Sequence, residues 1–269
     1  MKLTMRYWII TALSFLSFLA EAQSADKQLA EKLLEREIAF FVSDSDQEKA
    51  TLLMEKAALY TAKADYKKAL YEIERAEEFA GNDNAVLKYQ RMLNCFLSDQ
   101  YSRSAFVSLT KEELLRIGKE KEYFTMRFYS LNETGQWLQC RSELLSYCSM
   151  CDSIVTGRIK ELPVSYDHVS PLRCRILSDI VPGLGMAKAG KPLKGVTSFL
   201  LQAGLALGTG YCFYSGYYVT GIASGFFPLL KFHKGGNRLS GILAEERNEK
   251  EKNKLKELYA EEIKKIIRP

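Results

Sequence analysis

From Gly195 to Leu230 the chain carries no charged residue, and Lys194 and Lys231 close the run on either side. As one helix its 36 residues would extend about 54 Å at about 1.5 Å per residue, against a bilayer core of about 30 Å. One straight span is too long and two short legs fit. The break is expected at Tyr214-Ser215-Gly216, where glycine supplies the backbone angles of a tight turn. The run therefore reads as a helical hairpin in a membrane. Tyr211, Tyr214, Tyr217 and Tyr218 gather at its turn, as aromatic residues do at an interface. Each leg holds a GxxxG, Gly204 to Gly208 and Gly221 to Gly225. Such flat stripes are expected to let the two legs, or two copies of the chain in a homo-oligomer, approach closely.

The rest of the chain is charged, and its 269 residues sum to a net charge of +5. Lys and Glu alternate along its helical stretches. That makes a solvated surface rather than the basic, aromatic-interleaved face of a nucleic-acid binder, so no nucleic-acid partner is expected. The two histidines, His168 and His233, stand far apart, and no catalytic pair is legible. The reading is of a non-enzyme with no cofactor and no metal. Gly185 to Lys191 follows most of the phosphate-loop pattern GxxxxGK[ST], but Pro192 occupies the place of the hydroxyl that holds magnesium.

At the N-terminus, Lys2 and Arg6 precede an apolar core from Tyr7 to Ala20, and Ala20-Glu21-Ala22 is a small-x-small site. These are the three parts of an export signal, residues 1–22. The chain from Gln23 onward is expected outside the cytoplasm of a bacterium-like cell, in the periplasmic part of the envelope.

Residues 23–152 contain no proline, and their apolar side chains recur at helical spacing: Leu53, Ala57 and Tyr60, then Ala69, Ile73 and Ala76. A short turn near Ala64-Asp65 separates two helices. Ala57, Tyr60, Tyr66, Ala69 and Ala76 resemble the pattern of a tetratricopeptide repeat, with Leu53 in the place of that family's first aromatic and Gly81 near its closing proline. Weaker copies follow, with Tyr101 35 residues after Tyr66 and Trp137 36 residues after Tyr101. The resemblance implies a short right-handed solenoid of helix pairs with a groove that takes a partner protein.

Pro163 and Pro171 mark a linker, residues 153–175. In residues 176–238, Ser178, Pro182, Gly183, Gly185, Gly190, Lys191 and Gly195 precede the neutral run. This spacing resembles a group of bacterial envelope proteins with a PGxG motif ahead of paired hydrophobic helices, distantly like the small two-span domain called TM2. Ala187 and Ala189 stand where many of that group place a tyrosine between the glycines. The resemblance implies a membrane module and no particular activity.

Residues 239–269 read as a charged amphipathic helix marked by Leu243, Leu255, Leu258, Ile263 and Ile266, with i,i+4 Glu–Lys pairs. It either docks back on the repeats, dimerises or stays solvated. Cys148-Ser-Met-Cys151 is the candidate disulfide in an oxidising envelope; the alternative is that the cysteines are inert, buried thiols. One conflict stands. Export places both ends of the hairpin outside, yet Lys191, Lys194, Lys231, Lys234 and Arg238 flank those ends, which the positive-inside rule would turn inward. The architecture is thus all-α: signal, helical repeats, membrane hairpin, C-terminal helix. The expected role is a membrane-anchored envelope scaffold that meets lipid and a partner protein. The alternative is a component of an envelope enzyme or transport system acting at the basic PGxG segment.

Overall fold

Every regular element among the described residues is helical, and the helices follow the apolar periodicity of the sequence. The computed structural model describes residues 27–81, 84–148 and 153–267. The export signal, residues 1–22, and Cys151 of the candidate disulfide lie outside the described residues. The chain divides into two compact units, Met1–Thr134 and Gly135–Pro269. The expected linker, residues 153–175, falls inside the second.

The first unit runs through α1 (27–42), α2 (Asp46–Ala62), α3 (Tyr66–Ala80), α4 (Ala85–Leu97), α5 (Tyr101–Phe106), α6 (Lys111–Ile117) and α7 (Glu120–Glu133). Its first core joins Phe40, Leu53, Ala57, Ala69, Ile73, Ala76 and Leu87 from four successive helices. Alanine at Ala57, Ala69 and Ala76 brings α2 and α3 close, while Ile73 and Leu53 fill the space beside them, all five buried. A second core gathers Tyr89, Met92, Leu114, Tyr123 and Met126 from α4, α6 and α7. Thr110 caps α6 with a reciprocal box, its hydroxyl accepting from the Glu113 N–H and the Glu113 carboxylate from the Thr110 N–H.

Three charged side chains, Lys56, Glu72 and Arg127, are buried in this unit. Lys56 of α2 is 4% exposed. Its ammonium pairs with Glu37 of α1 and, at 2.8 Å, with Glu72 of α3. Arg75 holds the other Glu72 oxygen at 2.8 Å.

The second unit contains α8 (Trp137–Tyr147), α9 (Ser153–Glu161), α10 (Pro171–Ile180), α11 (Leu184–Lys188), α12 (Pro192–Tyr214), α13 (Tyr218–Thr220), a π-helical turn (Gly221–Phe226) and α14 (Phe227–Ile267). The last three are contiguous. They make one rod of about 75 Å at about 1.5 Å per residue, and the expected boundary at residue 238 lies within it. The π turn comes just before Pro228. In an α-helix the proline ring would meet the Ser224 carbonyl, and the wider turn relieves that clash. The C-terminal half of α14 docks within its own unit. The buried Tyr259 hydroxyl lies 3.2 Å from the Trp137 carbonyl and 3.1 Å from that of Pro163. That contact draws the residues of the expected linker into the second unit.

Four of the helix ends close in the same way. A left-handed residue follows the helix, and the next N–H reaches back to a carbonyl in the last turn. The bonds are Asp65 to Tyr60 at 2.9 Å, Gln100 to Cys95 at 2.8 Å, Lys191 to Met186 at 3.0 Å and Tyr217 to Cys212 at 2.8 Å. The left-handed residues are Ala64, Asp99, Gly190 and Gly216. Tyr66, Tyr101 and Trp137, spaced by 35 and 36 residues, each open a helix. The third helical position beyond each is a small, fully buried residue: Ala69, Ser104 and Cys140. The spacing of 35 and 36 residues thus falls on three helix starts. Ala64 holds φ 59° without glycine's freedom. Ala64→Gly is therefore expected to raise stability by about 0.5–1 kcal/mol, read as a higher urea midpoint with unchanged slope.

Candidate functional site

The PGxG segment forms a corner where α10, α11 and α12 meet. Ser170 caps α10 and Pro171 opens it, a favourable first helical residue. The chain leaves α10 through an extended Val181 and turns at Gly183, φ +83°. A Cβ on Gly183 would lie 2.0 Å from the Gly195 carbonyl oxygen, and one on Gly195 would lie 2.5 Å from the Gly183 oxygen. A Cβ on Gly185 would lie 1.9 Å from the Cys174 carbonyl oxygen. Ser178, fully buried, accepts the Gly185 N–H at 3.1 Å. The spaced serine and glycines therefore mark a place where three backbones touch. Lys191 is exposed and precedes α12. Gly185 to Lys191 is a short helix and its closing turn, not a phosphate cradle.

α14 clamps this corner from outside. Val169, Cys174, Met186, Ala189, Leu243 and Ala244 form a common apolar core. The Asn248 side chain pairs with both backbone groups of one residue, accepting from the Val169 N–H at 2.9 Å and donating to the Val169 carbonyl at 2.8 Å. Arg247 donates to the Lys188 carbonyl at 3.0 Å and pairs with Asp167 at 2.9 Å. Sequence patterns do not single out Asn248, because an asparagine 79 residues from its partner carries no local signal. Asn248→Leu should cost about 2 kcal/mol, since both Val169 groups lose their partner in a buried place. The fall in thermal midpoint of the whole chain in mild detergent measures it.

Above the corner, α12 and the rod run side by side. Gly221 meets Cys212 and Gly225 meets Thr209, where an added Cβ would lie 3.2 Å from Cys212 Cβ and 2.2 Å from Thr209 Oγ1. Gly204 and Gly208 have nothing within 4 Å of an added Cβ. The two GxxxG stripes therefore do not face one another within one chain. A polar cluster crosses between the legs nearer the corner. His233 Nδ1 is 3.2 Å from Gln202 Oε1, and His233 Nε2 is 3.1 Å from Asp179 Oδ1. Asn237 also donates to Asp179, and Gln202 donates to Ser198 Oγ at 3.2 Å. Gln202 is buried. The cluster ties α10, α12 and α14 together by polar bonds.

Among the described residues no group of three His, Cys, Asp or Glu side chains is placed to hold a metal ion. Burial pushes the Cys95 and Cys174 thiols up and that of Cys140 to about 12. These thiols stay protonated at neutral pH and are poor nucleophiles. Alkylation at pH 8 is expected to be at least tenfold slower at these three positions in the folded chain than in urea, as read by peptide mass spectrometry.

Among the described residues α12 is the one helix long and apolar enough to cross a membrane, and only 11% of its most apolar window is buried. Leu193, Leu200, Leu207 and Tyr211 point away from the rest of the protein. Comparison with protein-family models, curated proteins and solved structures returned no match.

Proposed function

We propose that the protein is a membrane-anchored scaffold of the bacterial envelope, in which tetratricopeptide-like helical repeats hold a partner protein and the neutral run keeps the assembly at the membrane. The observation that carries the anchoring is the bare apolar surface of α12. A protein in water buries such a face, and a bilayer solvates it. The return leg refines the insertion. Residues 218–230 are free of charge, which is about 20 Å of helix, and Lys231 then ends the neutral stretch. The pair enters tip first, with the tyrosines of the turn leading and the basic residues at its base held in the headgroup layer. This insertion leaves both ends on one side. It accommodates export of the repeats and a turn without positive charge.

Partner binding rests on the first unit. Between α3, α4 and α6 lies a cleft of about 700 Å³ lined by Val86, Tyr89, Ile117 and Arg116, a size in the usual range of binding sites. Flotation of the whole chain with phosphatidylcholine vesicles tests the anchor, and recovery in the aqueous fraction refutes it. Crosslinking in cells tests the scaffold. Arg116→Glu with Val86→Asp should cut the crosslinked partner at least tenfold while the chain still floats. Unchanged crosslinking would place the partner elsewhere.

A further inference from the structure

A cavity of about 950 Å³ opens beside the glycine corner, between α12 and the rod. Its apolar wall includes Met186, Leu201, Ala223 and Phe227, and Lys194 and Lys231 line it as well. No acidic side chain does. The contact of Gly236 with Ser198 and Gln202, and of Gly225 with Thr209, sets the register of the two legs. In that register Lys194 lies toward the charged base and Ala223 toward the turn. The cavity thus carries Lys194 at its base and Lys231 about midway, and its wall toward the turn, at Ala223 and Phe227, is apolar. Both lysines are exposed, and among the described residues neither ammonium has a hydrogen-bond or ion-pair partner. The side-chain cations of Lys191, Lys234 and Arg238 around the same base are likewise exposed and without an ion-pair partner among those residues.

We propose that this cavity binds one anionic glycerophospholipid, with an acyl chain along Leu201, Ala223 and Phe227 and its phosphodiester between Lys194 and Lys231. The inference rests on the membrane anchoring proposed for the neutral run. Charge complementarity selects the occupant. Two unpaired ammonium groups over an apolar slot match a headgroup that keeps a net negative charge. A zwitterionic headgroup would bring its own cation against them. Lysine suits the task, since its flexible stem follows the apolar wall while its head seeks the phosphate. A bound lipid also fills the space between the legs, so it completes the packing that the protein leaves open there.

The test uses the whole chain purified in a neutral detergent. Phosphatidylglycerol and phosphatidylcholine of matched acyl chains are offered together, and retained lipid is read by native mass spectrometry. Phosphatidylglycerol is expected to be retained at least tenfold over phosphatidylcholine, at one per chain. Lys194→Gln with Lys231→Gln should reduce that preference at least fivefold, and Lys250→Gln with Lys252→Gln on the distal part of α14 should leave it intact. Ala223→Phe, which narrows the apolar end, should lower the retention of lipid without changing flotation on phosphatidylcholine vesicles. Equal retention of the two lipids, or a preference unaffected by the Lys194 and Lys231 changes, overturns the proposal while flotation leaves the anchoring intact. A chain that fails to float overturns the anchoring and this site with it.

Discussion

Gly183→Ala is expected to be among the most damaging single substitutions in the second unit, with a loss of about 4 kcal/mol. Two causes add. Alanine at φ +83° enters the left-handed region, at about 1–2 kcal/mol. Its Cβ would also lie 2.0 Å from the Gly195 carbonyl oxygen. That neighbour is backbone, with no rotamer to change, so α12 itself must shift, at about 1–3 kcal/mol as for other overpacked sites. Gly185→Ala isolates the second cause, because its clash with the Cys174 carbonyl is as tight while its backbone is helical. Gly208→Ala is the control. Nothing lies within 4 Å of its Cβ, and alanine favours the helix, so stability should hold or rise slightly in the single chain. Thermal midpoints of the three variants in one detergent should rank Gly183→Ala lowest, then Gly185→Ala, with Gly208→Ala at or above the parent. A Gly183→Ala chain as stable as the parent would mean that backbone contact between Gly183 and Gly195 does not hold the corner.

The second large effect is expected at Lys56. Lys56→Met takes the ammonium from the buried Glu72 carboxylate and leaves it Arg75 at 2.8 Å, so the loss is expected at the lower end of the about 3–5 kcal/mol that removing one partner of a buried pair costs. Lys56→Met combined with Glu72→Leu should recover most of that loss, because two apolar groups of similar size need no charge solvation. Arg75 would then turn to Glu37, which it already approaches at 3.8 Å. The same network predicts a pH dependence. Burial alone lowers the Lys56 pKa, but the hydrogen bonds its ammonium donates to Glu37 and Glu72 outweigh it and hold the ammonium above its ordinary 10.5. A raised folded pKa means the folded state binds the proton more tightly than the unfolded chain. The contribution is complete below the unfolded pKa and is lost as pH rises through the folded one. Urea midpoints should therefore fall above about pH 10.5 in the parent and fall less in the double variant. A parallel decline in both would assign the alkaline loss to other groups.

Much of this was legible in the residues, for local reasons. The helices follow apolar spacing, and the break at Ser215-Gly216 follows from glycine's access to positive φ, here +81°. The PGxG spacing was visible as a pattern, but its cause lay in the meeting of three backbones. The two GxxxG motifs look alike in sequence and differ in the fold. Gly221 and Gly225 lie against α12, whereas Gly204 and Gly208 are open. A stripe of small residues announces that a close approach is permitted, not which surface makes it.

What the sequence alone determined is what neighbours along the chain enforce: helix, turn, cap, and an uncharged run that holds a helix long and apolar enough to cross a membrane. What only the tertiary structure decided is what distant residues enforce on each other. Asn248 meets Val169, Lys56 meets Glu37 and Glu72, and Lys231 shares a cavity with Lys194. The division has a physical cause. Backbone sterics and helical periodicity act within a few residues and leave their mark on composition. Pairing of buried polar groups acts through space, and the same asparagine or lysine is ordinary until the fold places its partner beside it.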